Sequence, residues 1–482
     1  MSSQVRKLHF ILFPLMAQGH MIPMIDLAKL LAGHGAIITI ITTPVNAARL
    51  QTVLAHAARF KLQIQLSEVQ FPCQEAGLPE GCESFDMLPS MDLAYNFFKA
   101  ISMVQFPVEI LLEKLTIRPS CIISDLCFPW TIHTAAKFNV PRIDFPVFSC
   151  FYLLCMRNLR ISKILESVNS DSKYFLVPDL PDQIAITKAQ LPGSMPQENR
   201  SFGDEMIAAE MASYGVIINT FEELESAYVK EFKKAKRGKV WCIGPVSLCS
   251  NDNKDKNERG NKASIDEFEC LKWLDICQPS SVLYVCLGSL YNLASSQLIE
   301  LGLALEASKK QFIWVIKGGN KSTEFENWLE KFEERIKGRG LLIKGWAPQV
   351  LILSHPAIGG FLTHCGWNSI QEGISAGVPM VTWPLFGDQF CNEKLVVQVL
   401  KIGVSTGVEF PVNFGQEEKV GVLLKKEDIE KAIRILMVEG DERRIRVKEF
   451  AEMAKRAITE GGSSYLNVKM LFQDIMQQVT ST

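Results

Sequence analysis

Between Trp346 and Gln389 the chain reads WAPQVLILSHPAIGGFLTHCGWNSIQEGISAGVPMVTWPLFGDQ, a passage crowded with side chains that can do chemistry. His364, Asn368, Ser369, Glu372, Asp388 and Gln389 are interleaved with glycine-rich turns and with Trp346, Trp367 and Trp383. A plain core segment would not hold so many hydrogen-bonding groups, because each one buried without a partner costs free energy. An indole offers a flat surface to a base, and a carboxylate accepts from a diol. The amides of a helix start hold an anion, and a polar pair meets a hydroxylated ring. Together these are the parts that hold a sugar nucleotide.

The helix start carries most of that reading. Thr363-His364-Cys365-Gly366-Trp367-Asn368-Ser369 follows an apolar run and precedes Ile370-Gln371-Glu372. Backbone N–H groups there, with the helix dipole, suit a diphosphate, and His364, Asn368 and Ser369 can add donors. Glu372 lies one turn beyond Ser369, where it can accept from two ribose hydroxyls. Trp346 precedes Ala347-Pro348 in a loop and can stack on a nucleobase, and Asp388-Gln389 can meet sugar hydroxyls. Each residue has a plainer role when taken singly: Asn368 or Ser369 as a helix cap, Glu372 as a surface ion-pair partner, Trp346 as core, Asp388-Gln389 as the cap of the next helix. None of these accounts for the set.

The elements that must position these groups alternate regularly. Leu8–Leu15 (LHFILFPL) is the apolar run of a buried parallel strand. It ends at Ala17-Gln18-Gly19-His20; Pro23 suits a first helical turn, and Met24, Leu27, Ala28 and Leu31 keep a helical spacing. Ala36–Thr42 is the next strand. This β–turn–α–β opening predicts a parallel sheet with a ligand site beside the first strand's carboxyl end. Cys121–Ser124 delivers Asp125 at its end, Thr131–Phe138 reads as helix, and Pro141–Val147, Gly215–Thr220 and Val240–Gly244 as strands, with irregular loops across 174–205. Ser250–Ser264 is almost free of apolar residues, the composition of a flexible connection. Val282–Leu287, a helix through Leu298, Leu301 and Leu305, and Phe312–Ile316 then restart the pattern. A helix from Asn392, another over Lys426–Glu439, the charged Asp441–Arg456 and the amphipathic Tyr465–Gln478 follow. The order predicts an α/β fold of two doubly wound domains facing across a cleft.

Composition narrows the class. A chain of 482 residues exceeds what one hydrophobic core normally serves. A formal net charge of −2 gives no electrostatic case for nucleic acid or an acidic membrane surface. Thirteen cysteines without a CxxC pair fit free thiols in a reducing compartment. Residues 1–7 show no signal-peptide pattern, and no apolar run approaches the roughly 20 residues of a spanning helix; a cytoplasmic protein is expected. The G-x-G-x-x-G dinucleotide fingerprint is missing, which disfavours nicotinamide chemistry.

Trp346–Gln389 resembles the signature box of plant family-1 UDP-dependent glycosyltransferases from end to end: WAPQ, HPA, GGFLTHCGWNS, the glutamate, GVP and the closing DQ stand in register. The similarity extends to FPLMAQGHMIPMIDLAKLLA, SDLCFPW and CLGSL, and LKIGVSTGVE and GVLLKKEDIEKAI look like the group acting on triterpenoids, steroids and flavonoids. The resemblance implies a GT-B fold of two Rossmann-like domains: an acceptor-side domain over 1–249, a linker over 250–264, a donor-side domain over 265–460 and a C-terminal helix over 461–482 packing back on the first. It implies that Trp346 stacks on uracil, the Ala347 backbone bonds its edge, Gln349 lies close to the nucleoside and Glu372 takes the ribose hydroxyls. Ser289, His364, Asn368 and Ser369 would hold the diphosphate, and Trp367, Asp388 and Gln389 would face the hexose. Gln389 is the glucose-preferring form of that position.

The box contains no convincing base. An acceptor hydroxyl is a weak nucleophile and needs a base with a pKa near neutrality within hydrogen-bond reach. By the resemblance this is His20, beside Gly19 at the cleft, with Asp125 holding the other ring nitrogen as carboxylates do in hydrolase triads. The implied partners are a UDP-sugar and a hydrophobic small-molecule acceptor, met by a monomer. No cofactor is expected: there is no DxD motif, and His355 and His364 lack companion metal ligands. Three positions depart from the family pattern. Phe148 stands where relatives often carry a small polar residue touching the sugar, so no such contact is carried to Ser149; Lys317 and Phe414 replace the commonest Arg and Trp. Met87–Met91, Phe97–Met103 and Phe148–Tyr152 are apolar stretches that could line an acceptor pocket or belong to the core.

Overall fold

The computed structural model describes residues 7–192, 200–249, 253–290, 293–318, 322–412, 415 and 417–481; Phe414 and residues 250–252 of the polar connection lie outside them. Two parallel sheets organise the chain. The first contains β1 (His9–Phe13), β2 (Ile37–Thr42), β3 (Ile64–Glu68), β4 (Cys121–Ser124), β5 (Arg142–Asp144), β8 (Gly215–Ile218) and β9 (Val240–Cys242), in the order β3-β2-β1-β4-β5-β8-β9. A two-residue ladder, β6 (Phe175–Leu176) with β7 (Ala185–Ile186), stands apart. The second sheet contains β10 (Val282–Cys286), β11 (Gln311–Ile316), β12 (Gly340–Lys344), β13 (Ile358–Thr363), β14 (Met380–Thr382) and β15 (Gly403–Ser405), in the order β12-β11-β10-β13-β14-β15.

Both central strands are buried on both faces, which is why they read as apolar runs rather than alternating ones. All five residues of β1 and all six of β13 are buried. In each sheet the strand order reverses once, between β1 and β4 and between β10 and β13, where β1 pairs Phe10 with Cys121 and Phe13 with Ser124. The carboxyl ends of strands at such a reversal leave a crevice for ligands, so the topology supplies two crevices.

The sheets share more than a connection. One apolar cluster joins Phe151, Tyr228 and Cys242 of the first half to Trp367, Cys391 and Leu395 of the second. The last helix, Ser463–Ser481, returns to the first sheet: Phe472 packs on Phe10 at 5.6 Å between ring centroids, and Asp474 accepts from Tyr214 at 2.8 Å. All thirteen cysteines are free thiols. Among the described residues, no helix is long and apolar enough to cross a membrane.

Three expectations are corrected. The first helix runs Gln18–Gly33 and so begins ahead of Pro23, placing His20 in its first turn rather than in a loop before it. The helix expected from Asn392 begins at Gln389 and passes into a π-turn over Leu395–Val399. The described part of the polar connection is packed: Asn253–Asn257 is helical, and Lys29 meets Asp255 at 2.5 Å with both side chains nearly buried. Its polar composition combines paired charges, at Asp255 and Arg259, with exposed residues such as Lys254 and Lys262.

Candidate active site

The crevice of the first sheet presents His20 and Asp125. His20 follows β1 by way of the loop 14–17, and Asp125 directly follows β4. Parallel pairing therefore brings together two residues 105 positions apart: His20 Nδ1 lies 2.6 Å from Asp125 Oδ2. The other carboxylate oxygen accepts from the backbone N–H of Cys127 at 3.0 Å, which fixes the carboxylate. With Nδ1 committed to Asp125, Nε2 is the nitrogen left for the cleft. Burial alone would lower the His20 pKa, but the charge and hydrogen bond of Asp125, helped by Asp388, raise it above the ordinary imidazole value.

The crevice of the second sheet presents the helix Trp367–Ser375. Its N-cap is Gly366, with no side-chain cap bond, so neither Asn368 nor Ser369 caps it and the first N–H groups remain available to an anion. His364 precedes it, wedged between two glycines: a Cβ at Gly288 would lie 2.7 Å from the imidazole Nε2 and one at Gly366 2.5 Å, and Gly288 has φ +85°. Burial lowers the His364 pKa to about 4, so in the unliganded chain the ring is neutral near pH 7 and offers hydrogen bonding rather than charge. His364 Nδ1, Asn368 Oδ1 and Trp346 Nε1 are buried polar atoms without a hydrogen bond in the protein.

Further along, Gln349 donates to Ser369 Oγ at 3.1 Å and to Glu372 Oε2 at 2.7 Å. Asp388 accepts from Asn392 at 2.6 Å, and burial raises its pKa to about 6. Gln389 uses its carbonyl oxygen to hold the backbone N–H groups of Leu385 and Phe386, at 2.8 and 3.1 Å, leaving its amide N–H groups as donors. Trp367 borders the cleft, but its indole is buried and donates to the Asn219 carbonyl at 2.8 Å. The indole N–H is thus used in holding the two halves together. Ser289, Ala347 and Gly19 also border the cleft.

The two crevices are one cavity of about 540 Å³. The contact that closes it is unusual in origin. Asn368 donates to the Gly19 carbonyl at 2.6 Å. In a helix that carbonyl would accept from residue 23, but residue 23 is proline and has no N–H. Pro23 therefore frees the acceptor that Asn368 uses, one residue from His20. On the remaining wall stand Val147, Phe148, Tyr152 and Phe386, with the Phe148 and Tyr152 rings 4.8 Å apart. Of the other apolar stretches, Phe97 is core and Met87 and Met103 are exposed. Ser149 is fully buried and caps the helix Cys150–Ser162 through Tyr152 N. Among the described residues no cluster of His, Cys, Asp and Glu could hold a metal ion.

The chain is similar to known proteins over nearly its whole length. A glycosyltransferase N-terminal domain model matches residues 6–248, and a model described as UDP-glucoronosyl and UDP-glucosyl transferase matches 261–409. UDP-glycosyltransferase 73C3 of Arabidopsis thaliana is 58% identical over 98% of this chain and 96% of its own. The chain belongs to the plant family-1 UDP-glycosyltransferases. Another relative of the 73C group, 73C11 of Barbarea vulgaris, is 56% identical over 98% of this chain and 97% of its own. Among solved structures, Glycyrrhiza uralensis UGT73P12 complexed with glycyrrhetinic acid 3-O-monoglucuronide superposes with a TM-score of 0.91 at 38% identity, covering 99% of this chain and 97% of that one. Arabidopsis thaliana UGT89C1 complexed with UDP-L-rhamnose gives 0.77 at 28% identity, covering 98% of this chain and all of that one. The fold is GT-B.

Three residues that hold the glycosyltransferase site together gave no signal in the sequence. Asn219 accepts from both Trp367 and Gln371 through its carbonyl, a backbone role no side-chain pattern encodes. Asn392 holds Asp388 and donates to the Cys365 carbonyl at 3.0 Å. Arg259 lies within the polar connection, yet ion-pairs with Asp26 and with Glu372.

Proposed function

We propose that this glycosyltransferase is an inverting, UDP-glucose-dependent enzyme forming a β-O-glucoside on a hydroxyl, or a carboxyl, of a hydrophobic plant secondary metabolite. Triterpenoid and steroid acceptors are favoured over flavonoids and other phenolics. The observation that carries the reading is the His20–Asp125 pair facing an uncapped helix start across one cleft.

In this mechanism the acceptor hydroxyl gives its proton to His20 Nε2 as its oxygen attacks the anomeric carbon. The bond from that carbon to the diphosphate oxygen breaks, and UDP leaves with the electron pair. Attack from the face opposite UDP turns an α-linked donor into a β-glucoside. Asp125 stabilises the imidazolium and keeps Nε2 free to accept. The diphosphate gains charge as the bond breaks, and the N–H groups at 367–369, with Ser289, His364, Asn368 and Ser369, stabilise it. Trp346 stacks on uracil, the Ala347 backbone bonds the base edge, Gln349 lies against the nucleoside and Glu372 accepts from the ribose. Asp388 accepts from hexose hydroxyls, the Gln389 amide donates to them, and Trp367 contributes the border of that subsite.

The apolar wall of Phe148, Tyr152 and Phe386 supports a hydrophobic acceptor, and the UGT73P12 complex with glycyrrhetinic acid 3-O-monoglucuronide supports a triterpenoid one. The reading divides the chain at 1–249, 250–264, 265–460 and 461–482, and has the enzyme acting in the cytoplasm as a monomer.

Turnover with UDP-glucose, UDP-galactose and UDP-glucuronic acid against triterpenoid and flavonoid panels tests it. Product from UDP-glucose is expected, and its absence with every acceptor overturns the donor assignment. His20→Ala should abolish turnover while UDP still binds; retained turnover would overturn the assignment of the base.

A further inference from the structure

Three consecutive residues of the connection, Arg259-Gly260-Asn261, touch both halves of the active site. The Arg259 guanidinium is nearly buried between two carboxylates: Nε donates to Asp26 Oδ2 at 2.8 Å, and Nη1 donates to Glu372 Oε1. Asp26 stands on the helix that begins with Gln18-Gly19-His20; Glu372 stands on the helix whose start faces the cleft. Gly260 has φ +95°, and a Cβ there would lie 2.3 Å from Trp346 Cζ2, so its backbone lies against the indole. Asn261 Oδ1 accepts from Gln18 at 2.9 Å. Two further contacts anchor the segment: Lys29 with Asp255, and Ser264 Oγ with the Trp346 N–H at 3.0 Å.

We propose that Arg259-Gly260-Asn261 is a nucleoside-positioning clip, in which Arg259 orients Glu372 for the ribose and Gly260 sets the plane of Trp346. The proposal rests on the reading that Glu372 accepts from the ribose hydroxyls. Glu372 is almost wholly buried, and a buried carboxylate is retained only when paired. Arg259 and Gln349 hold one oxygen each, which fixes the carboxylate plane and leaves the remaining lone pairs for a vicinal diol. The guanidinium reaches Asp26 through Nε and Glu372 through Nη1, so one rigid plane fixes both directions, which the rotatable donors of a single ammonium nitrogen do not impose. The clip therefore ties the helix carrying His20 to the carboxylate that binds the donor. Its contribution is to binding, in the ground state and the transition state alike, so its loss raises KM for the donor more than it lowers kcat.

The test measures UDP and 2′-deoxy-UDP affinities, and donor KM and kcat, for the full-length enzyme and its variants. Arg259→Ala should weaken UDP about 10- to 100-fold, the effect of losing a charge-assisted contact. It should also shrink the preference for UDP over 2′-deoxy-UDP towards unity, which general destabilisation would not do. Arg259→Lys should restore only part of the preference. Because Arg259→Ala leaves two buried carboxylates unpaired, Arg259→Gln combined with Asp26→Asn serves as a better balanced variant with the same expectation. Glu372→Gln separates the two levels of argument. If Glu372→Gln keeps the full preference, the ribose reading itself fails. If Glu372→Gln abolishes it while both Arg259 variants keep it, the ribose reading stands and the clip is overturned.

Discussion

Asp125→Asn tests how the base is held. Asp125 receives two donors, His20 Nδ1–H on one oxygen and the Cys127 backbone N–H on the other. A carboxamide can accept on one side only. The Cys127 N–H is fixed backbone, so the carboxamide oxygen must face it and the NH2 must face His20. That NH2 can only donate to Nδ1, which moves the ring proton to Nε2, the nitrogen that must accept from the substrate. Losing a hydrogen bond to a charged imidazolium costs about 1.5–3 kcal/mol, or about 10- to 150-fold in kcat at about 1.36 kcal/mol per decade. The wrong tautomer adds to this, with a ceiling at the whole general-base contribution of about 10²–10⁴. The pH profile gives an independent sign. The proposed mechanism needs neutral His20, so kcat/KM in the wild type should rise with pH through a pKa above 6.5. Asp125 is what raises that pKa against burial; without it the acid limb should move to lower pH even as the plateau falls. The assay is kcat and kcat/KM against pH with saturating UDP-glucose, with UDP affinity as the control expected to hold. A variant within threefold of wild type, or an acid limb displaced upward, would refute the reasoning.

Three other substitutions follow from the same geometry. Asp388→Asn should stabilise the fold at pH 8: burial raises the folded pKa from 3.8 to about 6, so the ionised form is disfavoured above that value, by up to about 3 kcal/mol. The gain in thermal midpoint should shrink as pH falls to 5, while turnover drops; an equal gain at both pH values would contradict it. Pro23→Ala restores an N–H that competes with Asn368 for the Gly19 carbonyl, so the thermal midpoint should rise while kcat/KM falls about 2- to 10-fold, the range of one neutral hydrogen bond. Unchanged kcat/KM would deny that contact a role. Gly288→Ala combines a positive φ with a Cβ 2.7 Å from His364 and should cost about 1–3 kcal/mol of stability and most UDP affinity by calorimetry; wild-type affinity would show that His364 has room to move.

What the sequence disclosed follows burial. β1, β2, β10 and β11 are covered on both faces and stand out as apolar runs. Of the strands that escaped, Ile64–Glu68, Gly340–Lys344 and Gly403–Ser405 are sheet edges, and in the first of them Gln65 and Ser67 dilute the pattern; Met380–Thr382 is interior and buried, and escaped because three residues are too short to show a period. The box from Trp346 was legible as chemistry because polar groups there exceed what a core would hold. The His20–Asp125 pair was not legible from spacing, since only the β1–β4 pairing makes the two neighbours; it came from the resemblance. Arg259 was hidden by composition itself, for a run of Lys, Asp, Asn and Glu reads the same whether its charges face water or each other.

Pro23 shows why the base and the donor site are coupled rather than merely opposed. A helix-breaking residue in the second turn weakens the helix that carries His20, and propensity alone would count it as a defect. The released Gly19 carbonyl is answered by Asn368, the second residue of the helix whose start faces the cleft. That hydrogen bond forms only when the two halves meet. It therefore sets the distance between His20 and that helix start through the Gly19 carbonyl and the Asn368 side-chain amide, while Arg259 ties the same two helices farther along. Two fixed points define the relative orientation of two helices better than one. With the proposed base and the proposed leaving-group site on different halves, both points must be in register before the acceptor oxygen, the anomeric carbon and the diphosphate can fall in line.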